Sequence, residues 1–161
     1  MACSIILCTY LGRLDRHRKR SVLQFLYESG LIYKEDTVLD KGSRLLEQRH
    51  HIVSLDQADL TEADLSRAFL VGIHLRWINL SKANLRGAFL AEAALAYANV
   101  SEADLSGAFV LGTNLKAANL IQANLSGAGL VEANLFGTKL SGADLNAWCE
   151  LRSPSQQVSK S

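Results

Sequence analysis

The chain has 161 residues, of which 48% are hydrophobic and 20% charged, and its formal net charge is +1. That length suits one domain with a modest accessory segment, and the charge gives no global field that would steer nucleic acid. Cys3, Cys8 and Cys149 have no CxxC spacing, which argues against a disulfide framework or a zinc site and points to a reducing, cytoplasmic compartment.

Residues 1–12 are apolar but too short to span a bilayer. Their basic residues follow the apolar run, the wrong order for a secretory signal. Residues 13–30, RLDRHRKRSVLQFLYESG, predict an amphipathic helix. Val22, Leu23, Leu26 and Tyr27 fall on one face and Phe25 flanks it. Gly30 stands where a left-handed C-terminal cap belongs, with Leu31 as its hydrophobic partner. Residues 31–52 are mixed and polar, with a short amphipathic candidate at Ser43–Arg49. The tail from Arg152 has the composition of a disordered segment. Three regions are therefore expected: a helical capping segment (1–52), a repeat (53–147), and a C-terminal cap with a tail (148–161).

The repeat is the main signal. Every fifth residue from Leu55 to Leu145 is leucine, except Val100 and Val110, and a small or β-branched residue, most often alanine, stands two places before each. A period of five fits neither a helix nor a simple strand, and fixed-period self-similarity marks a repeat architecture. The Ala-x-Leu alternation points both residues to one side of an extended stretch, and the following pair, often Ser-Gly, supplies turn chemistry. Each of the nineteen units is then one side plus one corner. Four sides close a coil, and stacked coils make a rod of roughly 20–25 Å at strand spacing. The second inward position stays small because a large residue would overpack a narrow interior.

The units Ala63-Asp64-Leu65-Ser66-Arg67 and Ala123-Asn124-Leu125-Ser126-Gly127 show the A(D/N)LxX pattern, and the chain resembles the pentapeptide repeat family. The resemblance implies a mainly β fold: a right-handed quadrilateral β-helix of just under five coils, here with an α-helical N-terminal cap. The stretch Arg18–Ile32 is also similar to a segment preceding the repeat in some bacterial members, where it lies between membrane helices and the solenoid. No such helices are present in this sequence, so membrane attachment is not expected.

A coil of twenty residues places i, i+20 and i+40 in columns. Asp64, Asn84, Asp104, Asn124 and Asp144 form one, and Asp59, Asn79, Asn99, Asn119 and Lys139 another. A third is Glu62, Lys82, Glu102 and Gln122. Neutral amides separate like charges, as expected of ladders that serve stability. One face departs from this pattern. Phe69, Phe89 and Phe109 replace the Asp/Asn column, and Val71, Ala91, Leu111 and Val131 run beside them. An apolar stripe of that length predicts an interface with an unidentified protein, with a second copy, or with the chain's own helix. Trp77 over Tyr97 forms a smaller aromatic pair at a corner, a second candidate contact.

No phosphate loop, HExxH, GxSxG or Ser/His/Asp arrangement occurs, so neither an enzyme nor a cofactor site is expected. His74 and the pair His50-His51 lack further ligands at metal spacing, so no metal is expected. Arg16, Arg18, Lys19 and Arg20 read as a solvated helix face rather than a nucleic-acid or lipid contact. Trp148 and Leu151 are placed to close the C-terminal end. The expected function is a non-enzymatic protein–protein interaction scaffold. The alternatives are a DNA-mimicking inhibitor or protector of a type II topoisomerase, a role the family resemblance suggests, and an adaptor recruited to membranes through residues 1–20. The mimic role needs a denser acidic surface than nine acids against six bases in residues 53–147.

Overall fold

The computed structural model describes residues 10–32 and 54–146. Ser43–Arg49, His50-His51, the three cysteines, Trp148 and Leu151 lie outside the described residues.

Parallel bridges join residues twenty apart in four series, which begin at Asp59↔Asn79, Asp64↔Asn84, Phe69↔Phe89 and His74↔Ala94. The chain therefore winds in coils of four sides. Each side is a single bridge rather than an extended strand, because two of every five residues are spent on the corner. The backbone bonds run both ways between coils. Leu80 N–H donates to the Asn99 carbonyl at 2.7 Å in the next coil, and Asn79 N–H donates to the Ala58 carbonyl at 2.9 Å in the previous one.

The corners are hydrogen-bonded turns, as in Ala63 N–H to the Leu60 carbonyl at 3.0 Å. The third residue of each turn has positive φ, the requirement of a type II turn. Glycine is not obligatory there: Glu62, Trp77, Lys82, Tyr97 and Ala117 also occupy the left-handed region. Such residues carry a conformational cost that the inter-coil ladder has to outweigh.

The leucines and alanines meet in a continuous core. Leu60, Leu80, Ala88, Leu90 and Leu120 have no exposed surface. Ile73 and Ile78 also occupy the small inward position and are fully buried, so that position accepts more than alanine. Their column neighbours in the next coil are Ala93 and Ala98, which leave room for the extra methyl groups. Thr113, buried at the same position, donates its hydroxyl to the Leu90 carbonyl at 2.7 Å.

An α-helix, α1 (Arg16–Glu28), precedes the coils, itself preceded by a helical turn at residues 10–13. Asp15 starts it by accepting from the N–H groups of His17 and Arg18 at 3.0 and 2.9 Å. Gly30, with φ +69, ends it. Its N–H donates to the Tyr27 carbonyl and that of Leu31 to the Leu26 carbonyl, the paired bonds of a Schellman motif. Lys19, Leu23 and Leu26 form the buried face, Val22 and Tyr27 pack beside it, and Phe25 points to solvent.

That face lies on the first coil. Backbone groups there have no earlier described coil to pair with, and α1 supplies partners for three of them. Asp64 N–H donates to the Arg16 carbonyl at 3.3 Å. Lys19 Nζ donates to the Thr61 carbonyl at 2.8 Å, and the Tyr27 hydroxyl to the Val71 carbonyl at 3.5 Å. Leu11, Leu23, Leu26 and Ile32 join the solenoid core.

Candidate interaction surface

Bridge positions face outward, and in most units they hold Asp or Asn. Their side-chain oxygen turns toward the following corner. Asp64 Oδ1 accepts from Ser66 N–H at 3.2 Å, Asp104 from Ser106 at 3.0 Å and Asn124 from Ser126 at 3.0 Å. The amide nitrogen, where present, donates to the residue one coil earlier: Asn84 to Asp64 at 3.1 Å, Asn99 to Asn79 at 3.1 Å and Asn119 to Asn99 at 3.1 Å. The ladder expectation holds, but the corner bond was missed. The invariant two-residue offset from Asp/Asn to the corner, the geometry of an Asx turn, was the available signal. Asp has no amide to donate, so the mixed column divides into pairs, whereas Asn79, Asn99 and Asn119 form a continuous run.

These bonds consume the polar groups of two faces. The phenylalanine face has none to consume. Phe69, Phe89 and Phe109 stack with centroids 4.6 and 4.8 Å apart and planes within 2° of parallel. The spacing is that of the coils themselves, so each ring rides on its own bridge. Phe69 stays 53% exposed and Phe109 45%. The helix α1 sits at the end of the first coil and does not cover this face. The flanking stripe is narrower than expected: Leu111 is exposed, but Val71 and Val131 are half-buried.

Trp77 and Tyr97 stack at a corner with centroids 5.4 Å apart and planes 8° from parallel. Both are exposed, and Ala117 and Gly137 continue their column without a ring. His74 stands at the bridge position just before this corner. It offers no oxygen to Arg76 N–H, which instead donates to Asp56 Oδ1 at 2.9 Å in the coil below.

The basic cluster of α1 is not one solvated face. Arg16 and Arg18 are exposed, but Lys19 is buried against Thr61, and Arg20 Nη1 reaches Ser66 Oγ at 3.4 Å. Two carboxylates at this junction titrate below their ordinary value of 3.8. Burial would raise Asp59, but hydrogen bonds from the Thr61 hydroxyl and N–H and the charge of Lys19 outweigh it. Asp64 is lowered chiefly by hydrogen bonds from Ser66, against some burial, with help from Arg20 and His17. A shallow cleft of ≈ 390 Å³ lies beside α1, lined by Arg16, His17, Glu62, Asp64, Lys82 and Asn84. Its charges are mixed and partly engaged with each other, as in His17–Asp64 at 3.9 Å. Among the described residues no group of three His, Cys, Asp or Glu side chains could hold a metal ion, and no helix is long and apolar enough to cross a membrane.

Stacked four-sided coils with a leucine core and bridge-position ladders define a β-helical repeat protein whose distinctive chemistry lies on its outer surface. The profile of the family Pentapeptide repeats matches residues 53–76, 73–109 and 112–147 in eight copies. The chain belongs to the pentapeptide repeat family, whose members are right-handed β-helices. It is similar to a pentapeptide repeat protein of the Arabidopsis thaliana thylakoid lumen, with 33% identity over 58% of this chain and 62% of that one and a TM-score of 0.46. It is also similar to HetL of Nostoc sp. strain PCC 7120, described as involved in heterocyst differentiation regulation, with 37% identity over 58% and 50% of the two chains and a TM-score of 0.35. The plasmid-mediated fluoroquinolone resistance protein QnrB1 is 20% identical over 58% and 63%, with a TM-score of 0.35. The chain thus spans less than two thirds of the length of each of these proteins. No curated protein matches it.

Proposed function

We propose that this protein is a non-enzymatic interaction scaffold whose contact surface is the face of Phe69, Phe89 and Phe109. The observation that carries this reading is the exposure of the stacked rings where neighbouring faces present self-satisfied Asn and Asp. Exposed contiguous apolar surface on a rigid support is the usual mark of a binding site. Leu111 extends the patch, and the partner is another protein or a second copy of the chain.

In the same reading α1 is the N-terminal cap of the solenoid. The bonds from Arg16, Lys19 and Tyr27 support this, because an open coil end exposes unpaired backbone and an apolar core. Cytoplasmic location belongs to the proposal too, and rests on the odd cysteine set. The DNA-mimic alternative has less support, since the exposed bases Lys82, Arg86, Lys116 and Lys139 interrupt the acidic surface.

The test is the triple substitution Phe69→Asn, Phe89→Asn, Phe109→Asn. Asparagine is the residue that neighbouring faces carry at the bridge position, so circular dichroism and the thermal midpoint should change little. Association measured by light scattering, and capture of partners from a lysate, should both disappear. Unchanged mass and an unchanged set of partners would refute the assignment of this face.

A further inference from the structure

The charge of the solenoid is distributed unevenly around its axis. The sector formed by 73–80, 93–100, 113–120 and 133–140 contains the fourth side, the Trp77 corner and the first side. These four stretches hold Arg76, Lys116 and Lys139 and no Asp or Glu, while the first coil carries Asp56 and Asp59 at the foot of the same sector. The remaining faces of the repeat carry seven acids against three bases. All three bases are exposed, and none is in an ion pair among the described residues. The same sector holds the exposed rings of Trp77 (51%), Tyr97 (47%) and Phe136 (76%).

Register arranges these groups. Arg76, Ala96, Lys116 and Phe136 form one column, and Trp77, Tyr97, Ala117 and Gly137 the adjacent one. Trp77 covers one face of the Tyr97 ring. On its other side the column shrinks to Ala117 and Gly137, so among the described residues no ring continues the stack there. The position is flanked by Lys116 and followed by the exposed ring of Phe136.

We infer that this corner binds an acidic peptide segment carrying an aromatic side chain, whose ring continues the Trp77–Tyr97 stack over Ala117 while its carboxylates meet Arg76, Lys116 and Lys139. Aromatic residues and arginine at the centre of a patch are the composition of binding hot spots. Around Ala117 the charged neighbours in the column positions are Lys116 and Lys139, with Asp56 and Asp59 confined to the first coil, and a locally cationic patch selects an anionic partner. From the coil of Arg76 to that of Phe136 is three coil spacings, roughly 14 Å, which an extended segment of about four or five residues covers. Single-stranded nucleic acid shares the preference for rings and cations, but three bases neutralise too few phosphates to hold it well. The site lies across a corner from the phenylalanine face and does not depend on that face being an interface.

The test uses the full chain and isothermal titration calorimetry. The probe is a short peptide of glutamates around one central phenylalanine. The controls are the same peptide with alanine at the centre, a lysine version, and oligothymidylate. The expected result is saturable binding of the acidic aromatic peptide that weakens with added salt. Tyr97→Ala and Lys116→Glu should each reduce it about tenfold or more. Triple replacement of the phenylalanine face should leave it unchanged. Absence of binding, equal binding of the alanine or lysine peptide, or tighter binding of oligothymidylate would each overturn the inference. Both variants alter exposed side chains, and an unchanged thermal midpoint checks that the coil persists.

Discussion

Asn99 makes four hydrogen bonds from one outward side chain. Its oxygen accepts from Ser101 N–H and Ser101 Oγ at 3.4 and 2.9 Å and from Asn119 Nδ2 at 3.1 Å, while its own Nδ2 donates to Asn79 Oδ1 at 3.1 Å. Asn99→Ala removes all four and leaves a corner N–H and two neighbouring amides without these partners, so we expect a loss of about 1–3 kcal/mol. Asn99→Asp keeps the acceptor and loses only the donor, so it should cost less. Leu105, 1% exposed, gives the inward counterpart: Leu105→Ala should cost about 2–5 kcal/mol through the cavity it leaves. Denaturant unfolding of the three variants checks the order. If Asn99→Asp were as costly as Asn99→Ala, the corner bond would not be the main contribution of this column. Much of this scale was legible beforehand. The period of five placed Leu105 inside and Asn99 outside, because only one phase of a five-residue unit puts the leucines together. The corner bond was not legible as a role, since alternation separates inward from outward but does not say which way an amide turns.

At the scale of elements, the helix was legible in its face and its C-terminal end, where Gly30 caps it as expected. Its start was expected at Arg13, but Asp15 caps it so that it begins at Arg16. Lys19 was misread. A lysine among arginines looks solvated in sequence, and only the packing of α1 on the first coil reveals the Thr61 carbonyl that draws its ammonium inward. Hydrogen bonds from Thr61 and Ser66, with a smaller contribution from the charges of α1, give this junction a pH dependence. Asp59 and Asp64 have folded pKa values below the ordinary 3.8. Their contribution to stability is therefore complete above about pH 4 and is lost as pH falls through the lowered values. Many carboxylates protonate in that range, so the informative comparison is with Asp59→Asn, Asp64→Asn. Asparagine already stands at both positions in the next coil, as Asn79 and Asn84, so the variant should fold. Its thermal midpoint should fall less than that of the unaltered chain between neutral pH and about pH 3. Equal falls would show that these two groups do not link the junction to pH.

At the scale of the whole molecule, a solenoid is held by contacts between neighbouring coils, so its stability varies along the rod. The middle coils are bonded on both sides: Leu85 N–H donates to the Asp104 carbonyl and Leu105 N–H to the Asn124 carbonyl, each at 2.7 Å, and both side chains are buried. The last described coil differs. Leu135, Leu140 and Leu145 are only partly buried, and Phe136 is exposed. Residues of equal rank in the repeat therefore differ by position alone, which no single unit reveals in sequence. Hydrogen exchange should follow this gradient, with slow amides at Leu85, Phe89, Leu105 and Phe109 and faster ones at Leu125, Gly127, Ala143 and Asp144. Uniform protection along the rod would mean that the coils open as one cooperative unit. The gradient bears on function because Phe89 and Phe109 hang from N–H groups bonded to Ala68 and Ala88 at 2.9 Å, inside the stable part. A ring ladder fixed to slowly opening coils needs little ordering when a partner arrives, and that is the condition under which a small apolar face can still bind usefully. The Trp77 corner spans the second to fifth coils and its Phe136 edge lies toward the faster-exchanging end, so a bound acidic peptide should slow exchange at Ala117 and Lys139 while leaving Phe89 unaffected.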